Sequence, residues 1–258
     1  MLRPARSDTA NAVREARLPP TVIGMDAILE GLIAAMRLLV TLDPQVMEIA
    51  GRSLAVSGMA TLVASAIGIP LGAWLAVRRF RWRRASIALL NAMMALPPVS
   101  VGLLLYLLLS RAGPLGPLGL LFTPAAMIAA QILIITPLIA SIAHQALRDL
   151  WADYHDLLIS LDTTRWQRIQ ALVIDARRSL LTASLAGFGR AIGEVGAIMI
   201  VGGNIDHVTR VLTTAIALET GKGDFAQALA LGIVLIAMAI AVNVAVHMLA
   251  RTEREGRW

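Results

Sequence analysis

Two charged residues stand four apart in an otherwise small and apolar stretch, Gly187-Phe-Gly-Arg-Ala-Ile-Gly-Glu-Val-Gly-Ala197. At that spacing Arg190 and Glu194 share a helix face and can pair, while Gly189 and Gly193 have the small-xxx-small interval that lets helices approach closely. Two readings are open. The residues form a structural ion pair inside a tight helix contact, or they line the path of a charged solute, since ionisable groups at membrane depth mark pathways. An anion would want Arg190 free or shared. The glycines are not a dinucleotide fingerprint, because Ile192 occupies the third glycine position and no strand precedes it. Nor is Gly221-Lys222 a phosphate loop, with Ile216 where the first glycine belongs and Gly223 where Ser or Thr belongs. No nucleotide site is expected in this chain.

A second polar group is Gly202-Gly203-Asn204 with Thr209, Arg210, Thr213 and Thr214. It reads either as a solvated loop or as a mouth that receives an oxyanion through hydroxyls, amides and one guanidinium. Pro97-Pro98 frees backbone carbonyls that a neighbouring helix or an aqueous path must satisfy. Asn243 reads as an interhelical hydrogen bond. With no cysteine and four scattered histidines, neither disulfides nor a metal site are expected.

The elements that position these residues follow from composition. With 258 residues, 57% hydrophobic, and a mean hydropathy of +0.73, the expectation is an all-α polytopic membrane bundle. Apolar runs predict five spans, at about 53–77, 86–109, 123–144, 180–201 and 225–249. Residues 1–22 read as a flexible tail, 23–250 as one transmembrane domain, and 251–258 as a second tail. Within 24–42, Asp26, Glu30, Arg37 and Thr41 fall on one narrow stripe, so this segment is an interfacial helix or a sixth span, ended by Asp43-Pro44. Those interruptions also argue against a cleavable signal peptide. The segments at 78–84, 148–178 and 251–258 hold five, five and three Lys or Arg, against one (Arg111) and two (Arg210, Lys222) in the remaining two loops. The positive-inside rule therefore places the C-terminus and residues 148–178 in the cytoplasm. In such a chain the net charge of +6 does not imply nucleic acid.

Residues 148–178 read RDLWADYHDLLISLDTTRWQRIQALVIDARR. Leu147, Leu150, Trp151, Tyr154, Leu157, Leu158 and Leu161 recur at helical spacing and form one apolar stripe. A break follows at Asp162-Thr163-Thr164, and Thr164 with Gln167 has the spacing of a capping box that opens a second helix. The pair either lies flat on the inner membrane surface or docks a partner.

The second alternative matches a family pattern. Integral subunits of ABC importers carry a loop of the form E-A-A, three residues, Gly, nine residues, I-x-L-P. Here Asp156-Leu157-Leu158 resembles the E-A-A, Asp162 stands for the Gly, Leu172-Val173-Ile174 for I-x-L, and Asp175 for the Pro. Asp suits the first replacement, since Asp and Asn adopt the left-handed conformation more readily than other non-glycine residues. Leu96-Pro97-Pro98-Val99, residues 68–72 and Arg190 to Ala197 are similar to segments of molybdate and tungstate ABC importer permeases. Val201-Gly-Gly-Asn-Ile205, Thr209-Arg210 and Ala217-Leu-Glu-Thr220 resemble the tungstate branch.

The resemblance implies a type I ABC importer transmembrane domain in a bacterial inner membrane. Two copies of the chain would form the path, ABC ATPase subunits holding ATP and Mg would dock on the loop, and a periplasmic binding protein would deliver the oxyanion. Asp156, Leu157, Leu158, Asp162, Thr163, Trp166, Leu172 and Ile174 would then couple to the ATPase. Arg190, Glu194, Gly189, Gly193, Pro97 and Pro98 would serve the path or its packing, and Asn204, Thr209, Arg210, Thr213 and Thr214 the outer mouth. The alternatives are a sulfate- or phosphate-type permease, or a proton-coupled transporter acting alone through Glu194. The sequence shows no clear inverted repeat or paired broken helices that would favour the last.

Overall fold

The computed structural model describes residues 43–255 except Arg79, together with residues 29, 32–34, 36, 37, 40 and 41. Residues 1–22 lie outside that set, as do Asp26 and Glu30; the described residues between 29 and 41 are helical. Asp43-Pro44 begins the next helix, because Asp43 Oδ1 accepts from the amides of Gln45 and Val46 at 3.0 and 3.1 Å and Pro44 is preset for the first turn. That helix, α1 (Pro44–Val77), therefore starts well before Ser53.

Next come α2 (Arg83–Met94) and α3 (Pro98–Leu109), bent by 96° at the prolines. A one-turn 3-10 helix at Gly116–Leu118 leads to α4 (Pro124–Ser160), capped by Thr123. The chain then forms α5 (Arg165–Asp175), α6 (Arg177–Ile192), α7 (Gly196–Gly202), α8 (Leu212–Lys222) and α9 (Phe225–Glu255). Three helices are long and apolar enough to cross a membrane, or up to five if each bent pair, α2 with α3 and α6 with α7, is one span. α9 runs on to Glu255, so part of the expected C-terminal tail is helical.

The structure departs from the expected elements in two further ways. The third span and the first loop helix are one helix, α4, because no glycine or proline interrupts residues 138–160. At 1.5 Å per residue its 37 residues extend about 55 Å. The fourth span is broken, and the 61° bend between α6 and α7 gives the chain a second broken span beside the first.

α1 and α4 pack face to face. Glycine makes this possible, for a Cβ on Gly72 would lie 2.7 Å from the Ala140 carbonyl oxygen and 2.8 Å from the His144 nitrogen. One core cluster joins Ala73 and Ala76 of α1, Ala143 and Leu147 of α4, Leu172 of α5, Ala176, and Leu180 of α6. Beneath the other end, Leu105 and Leu109 of α3 pack with Met127 and Ala130 of α4 and with Ala197, Ile198 and Val201 of α7.

Candidate functional site: two abutting helix breaks and a helical hairpin

The two breaks touch. A Cβ on Gly196, the first residue of α7, would lie 2.6 Å from Val99 Cγ2, and one on Gly102 would lie 2.7 Å from Ala197 Cα. The start of α3, set by Pro97 and Pro98, is thus packed against the start of α7. Pro97 is extended (φ −63°, ψ 125°), and its carbonyl accepts from Ser100 and Val101 at 3.0 and 3.3 Å, which closes the first turn.

A break inside an apolar bundle frees backbone groups that must find partners. Around the α6–α7 break they find them in side chains from distant elements. Gln131 of α4, 1% exposed, donates from Nε2 to the Ala191 carbonyl at 2.9 Å and to Ser57 Oγ of α1 at 3.3 Å. Thr213 of α8 donates to the Glu194 carbonyl at 3.0 Å. Glu194 Oε1 accepts from the Ala197 amide at 3.3 Å, placing a carboxylate at the positive end of α7. Sequence reasoning left Gln131 and Ser57 out of the site; the one signal was an amide in an otherwise apolar run.

Arg190 and Glu194 are brought together, with 3.8 Å between Nη2 and Oε2, and differ sharply in surroundings. The Glu194 side chain is 6% exposed and the Arg190 side chain 47%. Arg190 borders a small cavity walled by Met93, Met94 and Leu96 at the first break and by Leu133 and Leu138 of α4. A Cβ on Gly189 would have nothing within 4 Å, and one on Gly193 would meet only the Gly189 carbonyl oxygen at 3.6 Å, so neither glycine packs against another described helix of this chain. The close approaches between helices belong to Gly68, Gly72, Gly102, Gly187, Gly196 and Gly202.

The residues expected at the outer mouth are engaged on their own loop. Thr209 is fully buried and donates to the Gly202 carbonyl at 2.6 Å while accepting from Ile205. Thr214 exchanges bonds with the Val211 amide and carbonyl at 3.0 Å. Arg210 pairs with Asp206 at 2.9 Å. Asn204 adopts φ 50°. Arg52, absent from the sequence reading, fastens this loop to α1 by donating to the carbonyls of His207 at 2.7 Å and Arg210 at 3.1 Å. These threonine hydroxyls hold backbone, while the buried Arg210 Nε and Asn204 Oδ1 have no partner among the described residues.

The hairpin of α4 and α5 forms at the expected turn. Asp162 has φ 49°, the left-handed conformation for which a glycine would serve. Thr163 Oγ1 donates to the Leu158 carbonyl at 2.6 Å and accepts from Arg168 Nε at 3.2 Å. The capping box is present: the Gln167 amide donates to Thr164 Oγ1, and the Thr164 amide to Gln167 Oε1 at 2.8 Å. Asp175 Oδ2 accepts the Tyr154 hydroxyl at 3.0 Å and ties the α5 end to α4. That bond raises the phenol above its ordinary pKa, because the carboxylate opposes a second negative charge.

The coupling candidates separate into two groups. Leu172 is 1% exposed and anchors α5 to the bundle. Leu157, Leu161, Trp166 and Ile174 are exposed, Trp166 at 73%, and Asp156 and Asp162 lie in solvent beside them, with Leu158 and Thr163 half-buried. The hairpin is thus rooted at one end and bare at its tip.

Residues 68–254 match the family described as binding-protein-dependent transport system inner membrane component. The chain is 41% identical over 225 residues to the tungstate uptake system permease protein of Peptoclostridium acidaminophilum, covering 87% of this chain and 99% of that one. It is 36% identical to the protein of the same description in Campylobacter jejuni, over 89% and 96% of the two chains. Against the molybdenum transport system permease protein of Azotobacter vinelandii the identity is 28%, over 73% and 88%. With its rooted hairpin and paired helix breaks, the chain belongs to the family of binding-protein-dependent transport system inner membrane components.

Proposed function

We propose that this chain is the permease subunit of an ABC importer that carries an oxyanion, tungstate foremost and molybdate as its near equal in size and charge. The observation that carries the reading is the 41% identity to a tungstate uptake permease along 99% of that protein. Two copies form the path. Gly189 and Gly193, which pack against no other described helix of this chain, and the half-exposed Arg190 face it, and Arg190 supplies the positive charge an oxyanion meets there. ATP and Mg belong to partner ATPase subunits, and a periplasmic binding protein delivers the ion. The C-terminus and the hairpin lie in the cytoplasm in this reading, which the Lys and Arg distribution supports.

In this mechanism the ATPase seats on the bare tip formed by Leu157, Leu161, Asp162 and Trp166. Leu172 and the Tyr154 to Asp175 bond root the hairpin, so a push on the tip moves α4. α4 is continuous from the tip to Gln131, and Gln131 holds the carbonyl at the α6–α7 break. Closure of the ATPases therefore reaches both breaks along one continuous helix, with Pro137 inside it between the tip and Gln131. The loop transmits force and performs no chemistry.

The test is co-purification of the tagged chain from its native membrane, followed by ATPase assay with binding protein loaded with tungstate, molybdate or sulfate. A stoichiometric ATPase subunit stimulated foremost by the tungstate-loaded protein is expected. Uptake by the purified chain alone, driven by a proton gradient, would refute the importer reading.

A further inference from the structure

Where α1 ends, two cavities lie side by side, of about 710 and 480 Å³. Both fall in the range of roughly 300–1,000 Å³ typical of small-molecule sites. They share Val77, Trp151 and His155 as a common wall. The larger is lined by Trp74 and Arg78 of the α1 end, and by Trp166 and Arg168 of α5. The smaller adds Arg83 and Arg148. Each cavity is thus lined by two arginines and the shared His155, which pairs with Asp156 at 2.9 Å; Arg83 and Arg168 each use Nε internally, on the Leu75 carbonyl and Thr163 Oγ1. Among the described lining residues Asp156 is the single carboxylate, and its side chain is turned fully to solvent.

Three of the five tryptophans of the chain meet here. Tryptophan prefers the headgroup level of a bilayer, where its ring is half in hydrocarbon and its N–H in water. Trp74 lies one turn before the end of α1, with the Arg78 guanidinium 5.8 Å from its ring centre, so cation and aromatic face are already set side by side. A water-soluble anion needs the arginines but not the ring surface, and an apolar ligand needs the rings but not the arginines. A ligand with a phosphate at an apolar boundary uses both. Basic pockets between membrane helices on the cytoplasmic side hold anionic headgroups for the same reason.

We propose that the paired cavities form a binding site for an anionic phospholipid of the inner leaflet, and that a headgroup with two phosphates, one beside Arg78 and Arg168 and one beside Arg83 and Arg148, fits better than one with a single phosphate. The site rests on the cytoplasmic placement of the hairpin given above. Since its walls come from α1, α2, α4 and α5, a lipid seated there braces the root of the hairpin against the bundle.

The test is native mass spectrometry of the full-length chain, purified with its ATPase in neutral detergent. It is titrated with diphosphatidylglycerol, phosphatidylglycerol, phosphatidylethanolamine and, separately, inorganic phosphate. The diphosphate lipid is expected to be retained above phosphatidylglycerol, and both far above phosphatidylethanolamine, a ranking that needs no variant. Arg78→Gln with Arg168→Gln should weaken retention of the anionic lipids about 30-fold, which is about 1 kcal/mol per arginine. Arg78→Lys with Arg168→Lys should restore most of it. Equal retention of phosphatidylethanolamine, an unchanged affinity in the glutamine variant, or displacement of the lipid by inorganic phosphate overturns the proposal. Lipid and ATPase are read as separate mass differences. A chain that holds the lipid but no ATPase refutes the importer reading alone, and a chain that holds the ATPase but no anionic lipid refutes the site alone.

Discussion

Asp162 offers a way to separate backbone geometry from charge in the hairpin. Its φ of 49° costs an ordinary L-residue about 1–2 kcal/mol, somewhat less for Asp, and nothing for glycine. Glycine in turn loses about 0.5–1 kcal/mol more chain entropy on folding, so Asp162→Gly should come out near neutral. Asp162→Ile keeps the bulk and removes the tolerance. It should bear about 1–2 kcal/mol of added strain, enough to lower the population of the formed turn about tenfold. The bonds at stake are the Asp162 amide to the Ile159 carbonyl at 3.0 Å and Thr163 Oγ1 to the Leu158 carbonyl at 2.6 Å. The assay is hydrogen exchange across residues 158–168, together with ATPase stimulation by loaded binding protein in the assembled importer. The glycine variant should match the wild type within about twofold in both, and the isoleucine variant should exchange faster and lose stimulation. If glycine uncouples as fully as isoleucine, the carboxylate rather than the turn is what the ATPase reads, and the geometric argument fails.

Three further predictions concern the membrane interior. Gln131→Leu removes the amide that holds the Ala191 carbonyl, a loss of about 1 kcal/mol that should lower the melting temperature in detergent by about 2–4 °C; an unchanged melting temperature would deny Gln131 its place at the break. Gly72→Ala places a Cβ 2.7 Å from the Ala140 carbonyl oxygen and should destabilise by about 1–3 kcal/mol, whereas Gly51→Ala, with nothing within 4 Å, should stabilise by about 0.5–1 kcal/mol; equal effects on thermal unfolding would refute the packing argument. Arg190→Gln strands the buried Glu194 carboxylate and should lower both melting temperature and uptake, and adding Glu194→Gln should recover the melting temperature but not uptake, because the path still lacks its cation; recovery of uptake would leave the pair a packing device.

What the sequence made legible was local. The capping box spans Thr164 to Gln167, and the left-handed turn depends on one residue, so both follow from spacing and side-chain type. The apolar stripe marks which face of a helix is buried but not where the helix ends, and so spacing alone divides α4 into two elements. The threonines near the outer loop are recognisable as polar, yet their direction is not. Thr209, Thr213 and Thr214 turn to the carbonyls of Gly202, Glu194 and Val211, up to 19 residues away.

The break between α6 and α7 is hidden for a related reason. No proline marks it, and residues 180–201 are largely apolar and continuous in pattern. A free peptide of this sequence in lipid would keep its hydrogen bonds by staying straight, because each freed carbonyl in hydrocarbon costs several kcal/mol. At the bend the Ala191 carbonyl accepts from the Glu194 amide at 3.1 Å, and Gln131, 60 residues before Ala191, and Thr213, 19 residues after Glu194, add the long-range bonds that hold it. The break is therefore a property of the assembled bundle. It also follows that the break is sensitive to the position of α4: a shift of that helix by a fraction of a hydrogen-bond length along its axis weakens the hold of Gln131 on the Ala191 carbonyl, and Val99 against Gly196 carries the displacement to the second break. The same long helix that makes the hairpin tip a handle makes the two breaks the first places to feel it.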